Sequence, residues 1–275
     1  MKRSAPVLFA IALTALHAGC AGTTTDDDEL AGDGIEVITS SSQAIHLGSM
    51  VFEPVTQSDP EVAASEVVGP PSSLWPSGCV TRTKDANDPR VAHVVLDDCT
   101  GPYGLLHLTG EVRVTFSLGA GGALHAEIAG VDLAANGKPI DFAASADITS
   151  SATTRHVVWS GHWNRTNDKG LALDHTSDLT VHIDTAAGCR AVDGSASTTV
   201  TPSGGDARGV ESTFADVTVC KNPDGNDACP SGTVTHTGKV SEATCAYDGS
   251  ATADITGAGG RTWEIDLVCP ALEPG

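Results

Sequence analysis

Apolar and polar residues alternate along most of the chain from about Trp75 onward. The clearest runs are 106–118, 140–149, 156–163, 179–184 and 262–269. A period of two is typical of half-buried β-strands, because successive side chains point to opposite faces of a sheet. Glycine-rich turns separate these runs, and none of them sustains a helical period. The sequence therefore predicts an all-β fold, an antiparallel sandwich or barrel-like meander of about ten strands.

The N-terminal part of the chain has a different composition. Residues 1–19 combine two basic residues with an apolar stretch, which is the layout of a secretory signal peptide. Residues 20–76 contain ten acidic residues and no Lys or Arg. Such a segment has little apolar surface to offset its ordering entropy, so we predict a disordered acidic tether. The β domain is then expected at 77–275, and a division into subdomains 77–185 and 186–275 stays open.

The residues around Cys20 resemble the lipobox of bacterial lipoproteins. Ala18 and Gly19 are the small residues that precede the cysteine in that signal. The resemblance implies that Cys20 is acylated and becomes the N-terminus, so that the protein is anchored in the bacterial cell envelope. Ala21 after the cysteine, rather than Asp, implies an outer-membrane destination. The alternative is ordinary cleavage after Ala21, which would give a secreted soluble protein.

The charge of the chain limits its partners. It has 35 acidic and 15 basic residues, for a formal net charge of −20. Nucleic-acid binding needs clustered Lys and Arg, and an anionic lipid surface repels such a chain. No apolar run beyond the N-terminus reaches the roughly 20 residues of a transmembrane helix. We therefore expect membrane contact through the lipid anchor only, and an envelope protein or polysaccharide as partner.

Seven cysteines remain besides the lipobox cysteine, and an exported chain meets an oxidising compartment in which disulfides form. Cys79 and Cys99 flank a polar segment and a short strand, so they are a natural local pair. Cys189 and Cys229 compete for Cys220, because each would close a compact unit with it. The sequence thus predicts a disulfide-stapled domain, with these pairings left open.

The last hairpin bears on the remaining cysteines. A turn over the glycines after Ile255 sets that residue against Trp263. Cys245 then lies four residues too far along its strand to reach Cys269 within the Cα limit of about 7 Å. A Cys229–Cys269 bridge, with Cys245 as a buried thiol, is therefore an alternative to a Cys245–Cys269 bridge.

Enzymatic motifs are scarce in this sequence. It contains no Gly-x-Ser-x-Gly, no Ser-x-x-Lys and no His-Glu-x-x-His, and no glycine pattern typical of a nucleotide-binding loop. The sequence therefore favours a non-enzymatic protein, and we expect no cofactor.

The histidines are the strongest chemical signal, because imidazole binds zinc and copper. His156 and His162 share the polar face of one predicted strand, and His182 shares such a face with Asp184. Neighbouring strands could gather these four residues into a metal site. The other interpretation is a solvated sheet face, since His156 and His162 lie about 20 Å apart along a strand.

The loop between Cys220 and Cys229 offers a second candidate site. Asp224, Asn226 and Asp227 carry oxygen ligands of the kind that calcium prefers. Over 222–229 the loop resembles calcium-binding thrombospondin type-3 repeats, which implies a calcium site. A plain Asp-Gly turn between two cysteines explains the same residues.

The whole arrangement resembles the many uncharacterised lipoproteins of myxobacterial type, which share a lipobox, an acidic tether and a Thr/Gly-rich β module. The likeness rests on Gly-Cys-Val-Thr at 78–81, Asp-Asp-Cys-Thr-Gly-Pro at 97–102, Thr-Gly at 109–110 and Asp-Gly-Ser-Ala at 248–251. It implies a location and an architecture but no activity. Two hypotheses follow: a non-enzymatic envelope scaffold or binding module, or an exported metal- or calcium-dependent enzyme or adhesin built on the His-rich strands.

Overall fold

The structure is a computed structural model. It describes residues 51–52, 54–68, 74, 76, 78–100, 107–221, 228–238, 242–257, 260, 262–267 and 269. The predicted signal peptide, Cys20 and the predicted tether as far as residue 50 lie outside these residues. Within them, no helix is long and apolar enough to cross a membrane. The described chain is all-β, as the alternation of its residues predicts.

A short helix precedes the β-strands. This helix, α1, is Pro60–Val67. The strands are β1 (Val80–Lys84), β2 (Val91–Thr100), β3 (His107–Leu118), β4 (Leu124–Ala135), β5 (Lys138–Ser150), β6 (Thr154–Thr166), β7 (Ala172–Asp184), β8 (Cys189–Thr201), β9 (Arg208–Cys220), β10 (Ser231–Gly238), β11 (Glu242–Asp248), β12 (Thr252–Gly257) and β13 (Thr262–Asp266). A 3₁₀ turn, Ala120–Gly122, connects β3 to β4.

The thirteen strands form one antiparallel sheet, and their order in the sheet is their order in the chain. The sequence predicts about ten strands, and the difference arises where alternation is weak. β4, for example, has four alanines among its twelve residues. β7 and β8 pair at thirteen positions across the boundary between 77–185 and 186–275. These two segments are therefore parts of the same sheet.

One face of the sheet is buried and the other is exposed. We call them the core face and the outer face. In β6, Val157 and Trp159 on the core face are buried, whereas His156 and Val158 on the outer face are exposed. The buried side chains form one continuous hydrophobic cluster. Helix α1 packs against the first three strands of this sheet.

Apolar residues within 51–52 and 54–68 pack against this core, so the prediction of a disordered tether is wrong for these two stretches. Val51, Phe52 and Val55 are at most 1% exposed, and Phe52 meets Trp159 edge to face at 6.2 Å between ring centroids. The acidic charge and the composition of the segment favour disorder. The sheet supplies an apolar surface that these few residues can cover, which offsets the entropy of ordering them.

Helix α1 has a well-formed start. Oδ1 of Asp59 accepts hydrogen bonds from the backbone N–H groups of Glu61 and Val62 at 2.9 and 3.0 Å, and a proline follows at the first helical position. Nζ of Lys84 in β1 donates to the carbonyl of Glu61 and to Oγ of Ser65. The N-cap thus fixes the start of the helix, and the hydrogen bonds of Lys84 attach the helix to β1 at the edge of the sheet.

Two glycines allow the sheet to bend at β-bulges. Gly110 and Gly232 both have a φ of 111°. A Cβ on either would lie 2.4 Å from a backbone oxygen on the adjacent strand, that of Asp132 or Asp216. Both aspartates sit at register shifts and have positive φ themselves. The missing side chain therefore lets adjacent strands approach where the ladder is interrupted, which increases local twist.

Three disulfides staple the sheet. They join Cys79 to Cys99, Cys189 to Cys220, and Cys229 to Cys269. Cys245 is a buried thiol that forms no disulfide. Of the pairings that the sequence leaves open, the structure contains the one in which Cys220 bonds Cys189. It also pairs Ile255 with Trp263, the register that keeps Cys245 away from Cys269.

Candidate functional site

A groove of about 600 Å³ lies on the outer face and crosses the adjacent ends of β5, β6, β7 and β8. Four of its side chains form a row across these strands: Asp141, Asn164, Asp174 and Thr199. We call them the polar row. The register aligns them, because Asp141 is opposite Asn164, Asn164 opposite Asp174, and Asp174 opposite Thr199. With strands about 4.8 Å apart, the row is about 14 Å long.

The turn between β6 and β7 closes one end of the groove. The side chain of Asn167 orders this turn, because its Oδ1 accepts the backbone N–H groups of Lys169 and Leu171 at 2.9 Å each. Nearby, Nζ of Lys138 lies 3.4 Å from a carboxylate oxygen of Asp168. The groove therefore has an ordered rim and one ammonium group beside its acidic side chains.

The chemistry of the polar row is hydrogen bonding. Carboxylates accept, a side-chain amide both donates and accepts, and a hydroxyl does both. Asp141 and Asp174 are exposed, and Asn164 and Thr199 are half-buried, so all four can meet a ligand in water. The row suits a hydrophilic ligand with many hydroxyl groups.

The predicted metal ligands are only partly brought together. His156 and His182 are directly opposite each other in β6 and β7, with ring centroids 4.8 Å apart. Asp184 lies on the same face, two residues beyond His182. His162 is elsewhere: its Nε2 lies 3.4 Å from the carboxylate of Asp174 beside the groove. Within the described ranges, no group of three or more His, Cys, Asp or Glu residues could hold a metal ion.

Two other predicted sites fall outside the described residues. The calcium candidates Asp224, Asn226 and Asp227 lie in the segment 222–227, and the lipidation candidate Cys20 precedes residue 51.

The sequence does not reveal that outer-face histidines pair with carboxylates on other segments. Nδ1 of His93 lies 2.6 Å from Glu111, and its Nε2 lies 3.0 Å from Asp85. The hydrogen bond to Glu111, followed by the one to Asp85, raises the pKa of His93. Backbone N–H donation from Asn87, followed by the bond to His93, lowers the pKa of Asp85 to about 2. His and acidic residues on one predicted face are a signal for such pairs, but only the register identifies the partners.

Two further histidines lie on the core face, a position that their polar side chains alone do not predict. His175 is fully buried with Nδ1 2.9 Å from Oγ1 of Thr198, and Nδ1 of His236 lies 2.8 Å from Oγ of Ser212. The Nε2 atoms of both histidines have no hydrogen-bond partner. Burial lowers the pKa of each to about 4. His175 also stacks on Trp163, with centroids 5.1 Å apart.

A scan against models of protein families finds no match, and searches of curated proteins and of solved structures find no similar chain. We therefore infer function from this chain's own sequence and structure.

Proposed function

We propose that this protein is an exported cell-envelope β module, anchored to the outer membrane through a lipid on Cys20, that binds a hydrophilic ligand without catalysis. The three disulfides support export, because such bonds persist in oxidising compartments. The acidic segment after Cys20 would then hold the folded module away from the membrane.

The polar row is the observation that carries the binding proposal. It aligns two carboxylates, an amide and a hydroxyl across four strands without an intervening bulge. β6 and β7 pair at thirteen positions, so the backbone under the row is held by an uninterrupted ladder. A ligand then meets hydrogen-bonding groups that are already positioned, which reduces the entropy lost on binding.

The charge of the groove selects among ligands. Its exposed carboxylates, Asp141 and Asp174, outnumber its exposed cation, Lys138, which Asp168 already partners, and the other cation of the lining, Arg165, is buried. An anionic polymer would be repelled, whereas the hydroxyl groups of a neutral one can donate to the carboxylates. We therefore propose a neutral polysaccharide of the envelope as the ligand.

Affinity electrophoresis in gels containing soluble neutral glucans, mannans or galactans tests this proposal. At least one of these polysaccharides should retard the protein. Asn164→Ala and Asp174→Ala should each weaken its binding by about tenfold, the effect of one or two lost hydrogen bonds.

Ser160→Ala and Asp178→Ala are matched controls, because they lie on the outer face of the same two strands, directly opposite each other and outside the groove. Both should bind like the unaltered protein. Equal binding by all four variants, or no retardation in any gel, would contradict the proposal.

The anchor is tested separately by detergent phase partitioning. The unaltered protein should enter the detergent phase after expression in a bacterial host that processes lipoproteins. Cys20→Ala should remain in the aqueous phase, because it lacks the acyl chains. An aqueous unaltered protein would favour the secreted soluble alternative.

A further inference from the structure

We propose that His156 and His182 form a two-histidine binding site for a divalent transition metal, with copper(II) bound most tightly. The site lies on the outer face of the β6–β7 hairpin, and each ring is exposed to solvent. It is independent of the polar row, which occupies the other end of the same hairpin.

The separation of the two rings suits a shared metal. A metal about 2.0–2.1 Å from an imidazole nitrogen lies roughly 3.2 Å from the centre of that ring. An N–metal–N angle between about 90° and 110°, the range from square-planar to tetrahedral sites, then places the ring centres about 4.5–5.2 Å apart. The centroids of His156 and His182 are 4.8 Å apart, and the ring planes are inclined by 57° rather than stacked.

Both rings are available for coordination. In the described part of the chain, neither imidazole hydrogen-bonds to another side chain, and their one ring contact is with each other. The other outer-face histidines differ, because His93, His107, His125 and His162 each have a nitrogen within 3.4 Å of a carboxylate. A metal at those positions would have to displace an existing partner.

The surroundings favour a cation. Asp184 lies diagonally across from His156, at a distance of about 7–8 Å in an antiparallel pair. The chain as a whole has a formal net charge of −20, which raises the local concentration of cations. Two protein ligands leave the remaining coordination positions to water.

The chemistry of the ligands sets the order of metals. Neutral imidazole binds first-row divalent metals in the order nickel below copper and copper above zinc. β6 and β7 pair at thirteen positions, which holds the two histidines side by side on one hairpin. Once one imidazole has bound the metal ion, the other therefore binds it as an intramolecular ligand. We therefore expect one copper ion per chain, bound more tightly than nickel or zinc.

Titration of the full chain with copper(II) alone, at neutral pH and with its disulfides intact, tests the site. Calorimetry gives the affinity, and the electron paramagnetic resonance spectrum at one equivalent reports the nitrogen ligands. We expect a spectrum with two equivalent nitrogens. His156→Ala and His182→Ala should each weaken binding by about tenfold or more, because each removes the chelate.

His107→Ala and His125→Ala are the controls, since each removes an outer-face histidine that is paired with an aspartate. They should keep the affinity within about twofold. A second readout uses zinc(II): its addition should shift the NMR ring signals of His156 and His182 together. Unchanged copper affinity in the His156→Ala/His182→Ala double variant, a single-nitrogen spectrum, or an equal loss in the controls would overturn the proposal.

Discussion

The two faces of the sheet treat the same side chain in opposite ways. On the core face, burial lowers the pKa of His175 and His236 to about 4, and each ring has one hydroxyl partner. On the outer face, hydrogen bonds to Glu111 and Asp85 raise the pKa of His93. Desolvation penalises the charged imidazole on one face, and carboxylates stabilise it on the other. The face that a strand residue occupies therefore decides whether its histidine resists or favours protonation.

The largest expected effect is acid destabilisation through the core-face histidines. In the unfolded chain they titrate near 6.5, but in the folded chain near 4. Between these values the unfolded chain binds protons that the folded chain does not, so the free energy of unfolding falls as pH drops from about 7 to about 4. Each histidine contributes on the order of 3 kcal/mol to this loss.

Urea unfolding at several pH values between 7 and 4 measures this slope. A His175→Gln/His236→Gln variant should flatten it, whatever its stability at pH 7. Asp85 contributes little in this range, because its pKa is lowered from 3.8 to about 2 and most of its stabilisation is lost below pH 4. An unchanged slope in the double variant would mean that burial does not lower the pKa of these two histidines.

Removal of a buried partner should have the next largest effect. Ser212→Ala leaves Nδ1 of His236 without its hydroxyl, in addition to the Nε2 that already has no partner. We expect the free energy of unfolding at pH 7 to fall by about 1–3 kcal/mol, the penalty for an unsatisfied buried polar group. Thr198→Val makes the same test at His175 with little change of volume. Changes below about 0.5 kcal/mol in both variants would contradict the expectation.

A smaller effect of opposite sign is expected at His93. Its raised pKa means that its contribution is fully present below the unfolded value of about 6.5 and is lost as pH rises through the folded value. Glu111→Gln should remove part of this contribution, at most about 1 kcal/mol near pH 6 and less at pH 8. Thermal unfolding at these two pH values measures it, and a larger loss at pH 8 would contradict the assignment.

The smallest effect is expected at the exposed pair of His125 and Asp147. Their nitrogen and oxygen are 2.8 Å apart, the same distance as in the buried His236–Ser212 pair, but the Asp147 side chain is 58% exposed. Asp147→Asn should therefore change the free energy of unfolding by less than about 0.5 kcal/mol, and less still at high salt. A loss as large as that of Ser212→Ala would remove the distinction between the faces.

The alternation of residues predicts the strands because it follows from burial. The runs 140–149, 156–163 and 179–184 fall inside β5, β6 and β7, and burial alternates regularly along β6 and β7 and less regularly along β5. The same parity places His175 on the core face with Leu179. The polar type of histidine predicts an exposed position instead. His175 is buried nevertheless, because a hydroxyl group on the next strand hydrogen-bonds its imidazole.

The candidate sites could not be derived in the same way. The polar row and the His156–His182 pair both depend on cross-strand register, which is set by turn lengths and bulges rather than by composition. The contribution of Phe52 to the core depends on a distant strand that carries Trp159. Spacing along one strand could show only that His156 and His162 are too far apart to share an ion.

The sequential order of the strands also shapes the route by which the chain folds. Every strand finds its partners immediately before and after it in sequence, and the three disulfides span 20, 31 and 40 residues. Such contacts close short loops, so a hairpin formed anywhere can template the next strand without a long-range search. The nascent sheet then grows outward from that hairpin in both directions, one neighbouring strand at a time.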